Sequence, residues 1–366
     1  MRPPAALAFA LRVLISRVRA ELRKARGTLA YPWRRRRLEA TLETIRIRTD
    51  TARRPDRSVV VAVVRDAESW IEAWLEHYLR FGVDEIVLLD NGSIDATVDR
   101  ALREPRVTLL RSRLPFGRYD STVKRYLIER FGDGRWCLQA DIDEFFDYPF
   151  SDVLPFAGFL EYLNRRGYTA VMATMLDLFA DGPSSGWPPA GRRMLEQCVW
   201  YDLTGLVPSR PWRPLWRNRF ADPQMPFYRG GILYQAFGVR AVATKFPLLF
   251  YRTGGRLSLR RHGHFCRGAH VADVSAVLYH YKYDRGFVER CRTFVERGQH
   301  PNRAGLYRAA LAGFAAGGEI VLRQETARRL RHVNQLIDEG LLRVSGAYRA
   351  FVNERRTAGE RDYSRR

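Results

Sequence analysis

Asp141, Asp143 and Glu144 fall within four positions of one another, directly after Trp136-Cys137-Leu138-Gln139-Ala140, a run that reads as a short buried strand. Carboxylates this close repel, and desolvating even one is costly unless a cation or a hydrogen-bond donor compensates it. A divalent metal is the simplest compensator. In an extended chain the period-two alternation puts Asp141 and Asp143 on one side, with Ile142 turned into the core. Two oxygen ligands on one side, completed by water and a phosphate, suit Mg2+ or Mn2+. The alternative is a solvated acidic loop at a strand end, and the surrounding elements have to decide.

Those elements alternate. Ser58-Val-Val-Val-Ala-Val-Val is a continuous β-branched run of the kind a buried parallel strand requires. Trp70, Ile71, Trp74, Leu75, Tyr78 and Leu79 then share one helical face. Glu85 to Asp90 is a second buried strand that runs into Asn91-Gly92-Ser93-Ile94-Asp95, and Val107 to Leu110 and a helix around Thr122 to Phe131 lead to the strand before Asp141. Strands and helices in this order predict a parallel α/β sheet with helices on both faces. Ligands of such sheets bind at the carboxyl ends of the strands. Asp66, Asp90 and Asp141 all lie there, so a metal and nucleotide pocket explains the acids better than chance solvation.

From Val59 to Tyr148 the chain resembles the family 2-like glycosyltransferases of the GT-A fold, in the branch that combines an R-N-E or K-N-E element, a D-N-x-S-x-D element and a D-x-D-E-F element. Here these read Arg65-Asp66-Ala67-Glu68, Asp90-Asn91-Gly92-Ser93-Ile94-Asp95 and Asp141-Ile142-Asp143-Glu144-Phe145. The resemblance implies a GT-A-type, Rossmann-like, mainly parallel sheet and a nucleotide-sugar donor held by Mn2+ or Mg2+. Asp143 would ligate the metal, Asp141 metal or ribose, and Asp90 the base or ribose. Arg65, Asp66, Glu68, Asn91, Ser93 and Asp95 would line the donor pocket. One position departs from the pattern: Ala67 stands where the family has Glu, with Glu68 one place further on.

An inverting transfer needs a carboxylate to deprotonate the attacking hydroxyl. Asp177, in Met175-Leu-Asp-Leu-Phe-Ala-Asp181, is the candidate, with Asp181 and Asp202 behind it. Late in the resembling family come an H-x-H strand and an H-Y-x-x-K element, similar here to His262-Gly-His264 and His280-Tyr-Lys282. The resemblance implies His264 at the metal and His280 and Lys245 near the diphosphate. A zinc site among these His and Cys residues fits none of the usual spacings. The irregular segment 183–240 reads as acceptor-side loops, where Trp212 and Trp216 either stack on sugars or pack the loop.

The net charge is +22, and residues 1–57 supply half of it, with sixteen Lys or Arg against five Asp or Glu. Leu7, Leu11, Leu14, Val18 and Leu22 recur at helical spacing among arginines, a basic amphipathic pattern suited to an anionic membrane surface. No run approaches the roughly 20 apolar residues of a membrane span, and Pro3 to Ala10 is too short for a signal-peptide core. Four widely spaced cysteines suggest reduced thiols. The expectation is a cytoplasmic enzyme, soluble or peripheral on the cytoplasmic face of a membrane. Its layout would be a basic arm over 1–57, a catalytic domain over 58–285 and a helical extension over 286–366, predicted helical at Ala327 to Leu342 and ending in a charged tail. The acceptor would be a glycan or a lipid-linked glycan. No nucleic-acid partner is expected, because the basic excess sits on the arm and not around the acids. Two rivals stand beside this reading: a non-catalytic membrane adaptor that keeps the fold, and a metal-dependent nuclease, which leaves Asp90-Asn91-Gly92-Ser93 unexplained.

Overall fold

The computed structural model describes residues 30–48, 53–209, 218–259, 266–296 and 304–363. The chain divides into two compact units, Met1–Leu42 and Glu43–Arg366. In the first, residues 30–41 are helical, with an exposed Arg35–Glu39 ion pair at 2.8 Å. The amphipathic pattern over Leu7 to Leu22 lies outside the described residues.

The second unit is built on an eleven-stranded mixed sheet. Its first half comprises β1 (Glu43–Arg46), β2 (Ser58–Val64), β3 (Glu85–Asp90), β4 (Val107–Arg111) and β5 (Trp136–Gln139). β4, β3, β2 and β5 are mutually parallel in that order, and β1 pairs antiparallel with β4 at the edge. The sheet therefore begins at Glu43, inside the stretch expected to be arm. β2 and β3 are buried almost throughout because helices cover both faces. Each fully buried Val, Leu or Ile there contributes about 1.5–3 kcal/mol. Helix α1 (Ile71–Arg80) turns Ile71, Trp74, Leu75 and Tyr78 inward, α2 is Thr97–Leu102, and α3 (Phe116–Phe131) buries Tyr119, Val123, Tyr126 and Leu127.

After β6 (Glu144–Asp147) and helix α4 (Phe156–Arg165) the strand directions mix. β7 (Ala170–Asp177) and β8 (Thr244–Phe250) run antiparallel to each other, and β8 closes the gap to β5. β9 (His270–Val271) and β10 (Ala276–His280) pair parallel with β7, and β10 also pairs antiparallel with β6. The mainly parallel α/β expectation holds for the first half, and antiparallel insertions extend it in the second.

The region 286–366 is part of this unit. Helices span Phe287–Glu296, Ala304–Gly317 and Gly346–Tyr363, and Tyr348 in the last donates its hydroxyl to Pro149 O at 2.8 Å. The helix expected over Ala327 to Leu342 does not form. Arg328–Arg329 pairs as a strand with Trp200–Tyr201, only Gln335–Asp338 is helical, and Gly340 adopts a φ of 77°. Edge pairing and a left-handed glycine override the helical periodicity there. No helix among the described residues is long and apolar enough to cross a membrane.

Candidate active site

The carboxyl ends of β2, β3, β5, β7 and β10 share one edge of the sheet, and the acids singled out in the sequence collect there. At β2 and β3 the two loops are laced together. Asp66, with a left-handed φ of 48°, accepts Ile94 N–H at 2.9 Å and donates its own N–H to Ser93 Oγ at 2.9 Å. An aspartate tolerates this conformation better than most residues, because its short carboxylate bonds locally. Glu68 N–H donates to Asp95 Oδ2 at 3.0 Å, and Glu68 Oε2 accepts Ala96 N–H at 3.2 Å. Ala67 is buried, its N–H on Thr97 Oγ1 at 2.7 Å. The Glu one place late thus caps the neighbouring loop while Ala67 packs beneath it. Hydrogen bonds from Thr97 and from backbone N–H groups outweigh burial and hold Asp95 below the usual carboxylate range.

Asp90 is fully buried. Its Oδ1 accepts Ser93 N–H at 2.9 Å and its Oδ2 accepts Arg111 Nε at 2.8 Å. Asn91 spends its side-chain amide on the Ser112 and Leu114 carbonyls. Arg65 is half exposed at the edge, 3.5 Å from Asp66.

The β5–β6 connection differs from the extended reading of Asp141 to Asp143. β5 ends at Gln139, and Glu144 N–H bonds back to Asp141 O at 3.0 Å, which makes 141–144 a turn. The two aspartates therefore part. Asp141 goes to Lys124 Nζ at 2.8 Å and Lys245 Nζ at 3.7 Å, and Asp143 to His280 Nε2 at 3.4 Å. Helix α1 braces the turn: Trp74 Nε1 donates to Asp141 O at 3.0 Å, and Tyr78 OH to Glu144 O at 2.9 Å. Glu144 is buried, and its carboxylate takes the Lys245 ammonium and the Asp141 N–H.

Register then builds a row across three adjacent strands. His280 of β10 lies opposite Glu144 of β6 and opposite Asp177 of β7. His280 Nδ1 is 2.6 Å from Asp177 Oδ1, while Asp177 Oδ2 faces Tyr283 OH at 3.5 Å. Burial alone would lower the His280 imidazolium. The charges and hydrogen bonds of Asp143 and Asp177 prevail and push it up to about 10. Asp143, which burial would raise, is held below the usual carboxylate range by the same imidazolium. A Cβ on Gly231 would stand 3.2 Å from Asp177 Oδ2, at a φ of 76° that favours glycine, so the backbone closes tightly over this carboxylate.

The residues present fit a divalent cation. Asp143, Glu144 and His280 offer two oxygens and a nitrogen within 4.8 Å of one another, a donor set suited to Mn2+ or Mg2+. Asp143 and the His280 Nε2 are the more available donors, because Lys245 already engages Glu144. With Nε2 on a metal, His280 would donate Nδ1–H to Asp177, the usual way a carboxylate orients a ligating imidazole.

Of the other candidates, Asp202 is enclosed by Thr204, Thr326 and Gln235, and Asp181 pairs with Arg323. His264, Trp212 and Trp216 lie outside the described residues. Sequence reasoning passed over Lys124. It sits with Asp120 at i,i+4 on the otherwise apolar inner face of α3, and two charges on such a face were the signal that could have found it.

No family model matches the chain, and no curated protein matches it. Among solved structures it is similar to HddC from Yersinia pseudotuberculosis, at 13% identity over 36% of this chain and 63% of that one, with a TM-score of 0.24. It is also similar to glucosyl-3-phosphoglycerate synthase from Mycobacterium tuberculosis in complex with Mn2+, UDP and glucosyl-3-phosphoglycerate, at 20% identity over 37% and 52%, TM-score 0.22. A third is the mannosyltransferase PcManGT from Pyrobaculum calidifontis in complex with GDP-Man and Mn2+, at 16% identity over 92% and 94%, TM-score 0.29. This chain thus spans less than two thirds of the first two. At these scores the chemistry of the site has to be read from the chain's own residues.

Proposed function

We propose that the chain is a metal-dependent glycosyltransferase of GT-A type that moves a sugar, with inversion, from a nucleoside diphosphate sugar to a hydroxyl of a glycan or lipid-linked glycan. The observation that carries this reading is the row Glu144–His280–Asp177, with Asp143 facing the imidazole, at the carboxyl edge of the sheet. Such an edge is where α/β sheets place their ligands, and this donor set suits a hard divalent cation.

Asp143 and His280 would hold the metal, with Glu144 beside them. When bound, the metal supplies Lewis-acid stabilisation of the charge that gathers on the departing nucleoside diphosphate. The laced loops at Asp66, Ser93 and Asp95 would hold the nucleoside. Asp177, adjoining His280 and partly covered by Gly231, is the candidate base; its Oδ2 faces the Tyr283 hydroxyl at 3.5 Å. The arm before the sheet would rest on an anionic membrane surface, where each basic residue adds about 1 kcal/mol, and that would keep the enzyme at the cytoplasmic face.

The test is release of nucleoside diphosphate from a panel of UDP-, GDP- and dTDP-hexoses, with Mn2+ or with EDTA. Release from one donor, dependent on Mn2+ and lost in Asp143→Ala, is the expected result. Absence of release from every donor, with Mn2+-dependent cleavage of plain DNA or RNA instead, would replace this reading with the nuclease.

A further inference from the structure

Asp141 is bracketed by two ammonium groups that arrive on different elements. Lys124 Nζ, from α3, lies 2.8 Å from Oδ1, and Lys245 Nζ, from β8, lies 3.7 Å from Oδ2. The lysine side chains are 12% and 10% exposed against 34% for Asp141, so the cations lie behind the carboxylate and are fixed there. Lys124 has a second acid within reach, Asp120 at 3.5 Å. Burial disfavours its charge, and Asp141 with Asp120 more than restores it.

This arrangement divides the carboxylates of the site. A divalent ion at Asp141 would stand beside two positive charges that cannot move away. At Asp143 it would meet the His280 Nε2 at 3.4 Å, a ring nitrogen of a type that ligates divalent ions. A nucleoside diphosphate has the opposite requirement, because it is repelled by the cluster of Asp141, Asp143, Glu144 and Asp177 unless fixed cations offset them.

We propose that Lys124 sets the ligand preference of the site: its ammonium withdraws Asp141 from metal ligation and offsets its charge, so that the pocket favours a nucleoside diphosphate with its metal over a bare divalent cation. The half concerning diphosphate rests on the donor reading above, and the half concerning metal does not.

The two halves move in opposite directions in one variant. Titration calorimetry would measure Mn2+ alone, and then UDP and GDP in saturating Mn2+, on wild type, Lys124→Gln, Lys124→Arg and Asp141→Asn. In Lys124→Gln, Mn2+ should bind about tenfold tighter and the diphosphate about tenfold weaker, each the effect of one nearby charge in a partly screened site. Lys124→Arg should stay near wild type, and Asp141→Asn should weaken Mn2+ by about tenfold, the effect of one lost charge and not of a lost ligand. A misfolded chain would lose both ligands, so tightening of one is a readout that damage cannot mimic. Unchanged or weaker Mn2+ binding in Lys124→Gln at native circular dichroism, undiminished diphosphate binding there, or a loss of Mn2+ well beyond about a hundredfold in Asp141→Asn would each overturn the proposal. If wild type binds Mn2+ but neither diphosphate, the glycosyltransferase reading fails and the Mn2+ arm alone decides the role of Lys124. If it binds no Mn2+, both are overturned.

Discussion

Asp90 ends β3 and Asp143 lies in the turn after β5, on the same sheet edge with β2 between the two strands, and they differ in what their charge meets. Asp90 is sealed at 0% exposure by Arg111 and the Ser93 N–H, so its charge is already answered by the fold. The Asp143 side chain is 34% exposed and faces the His280 Nε2 at 3.4 Å. A buried carboxylate matched by a partly exposed arginine can hold a loop in place. One matched by an imidazole keeps a ligand position that chemistry can use. Acids that look equivalent in D-N-x-S-x-D and D-x-D therefore differ in their partners, an arginine and a backbone N–H for one and an imidazole for the other.

Substitutions should separate the two sharply. The largest effect is expected for Asp143→Ala: a loss of about a hundredfold or more in metal-dependent turnover, with little change in melting temperature. Asp90→Ala should do the reverse and destabilise the fold by about 1–3 kcal/mol in urea denaturation, because the Ser93 N–H and Arg111 lose their buried acceptor. Equal stability loss in both would erase the distinction. Asp177→Asn should weaken Mn2+ binding by about 10–100-fold in calorimetry through loss of the carboxylate that orients His280. Binding of Mn2+ unaltered by that change would leave Asp177 with no part in holding the imidazole.

The smallest effect concerns Asp147, at the far end of β6, where burial raises the carboxyl to about 6. A group whose folded value lies above its unfolded one lends its full stability below the unfolded value, near pH 4, and loses it as pH rises through about 6. Asp147→Asn should therefore exceed wild type by about 1–3 kcal/mol at pH 7, with the difference fading towards pH 4. A gap independent of pH would assign the effect to something other than this titration.

Much of the scaffold was legible in the sequence. The apolar run of β2, the strand ending at Asp90 and the inner face of α1 follow from composition and period alone, since a buried parallel strand admits little else. The site was legible only in part. Asp143, Asp177 and His280 were each singled out, but nothing in their spacing says that β10 would slot between β6 and β7 and set His280 opposite both Glu144 and Asp177; that is a matter of strand register over more than a hundred residues. The turn at Asp141 escaped notice because period-two reasoning presumes an extended chain, and the braces from Trp74 and Tyr78 that bend it come from a distant helix. Residues 327–342 show helical periodicity, yet Arg328–Arg329 pair as a strand with Trp200–Tyr201 and only Gln335–Asp338 is helical. Local pattern loses there to a long-range ladder.

The central claim, that the Asp143–His280 pair serves a metal-bound nucleotide, is tested most directly by thermal denaturation with UDP, GDP, dTDP and CMP, each with and without Mn2+, on wild type and Asp143→Ala. The account predicts that one nucleotide raises the melting temperature only with Mn2+, by the equivalent of about 2.7 kcal/mol at a hundred times its dissociation constant, and that Asp143→Ala abolishes the rise. No shift with any nucleotide at millimolar concentration, or an equal shift in Asp143→Ala, would contradict it.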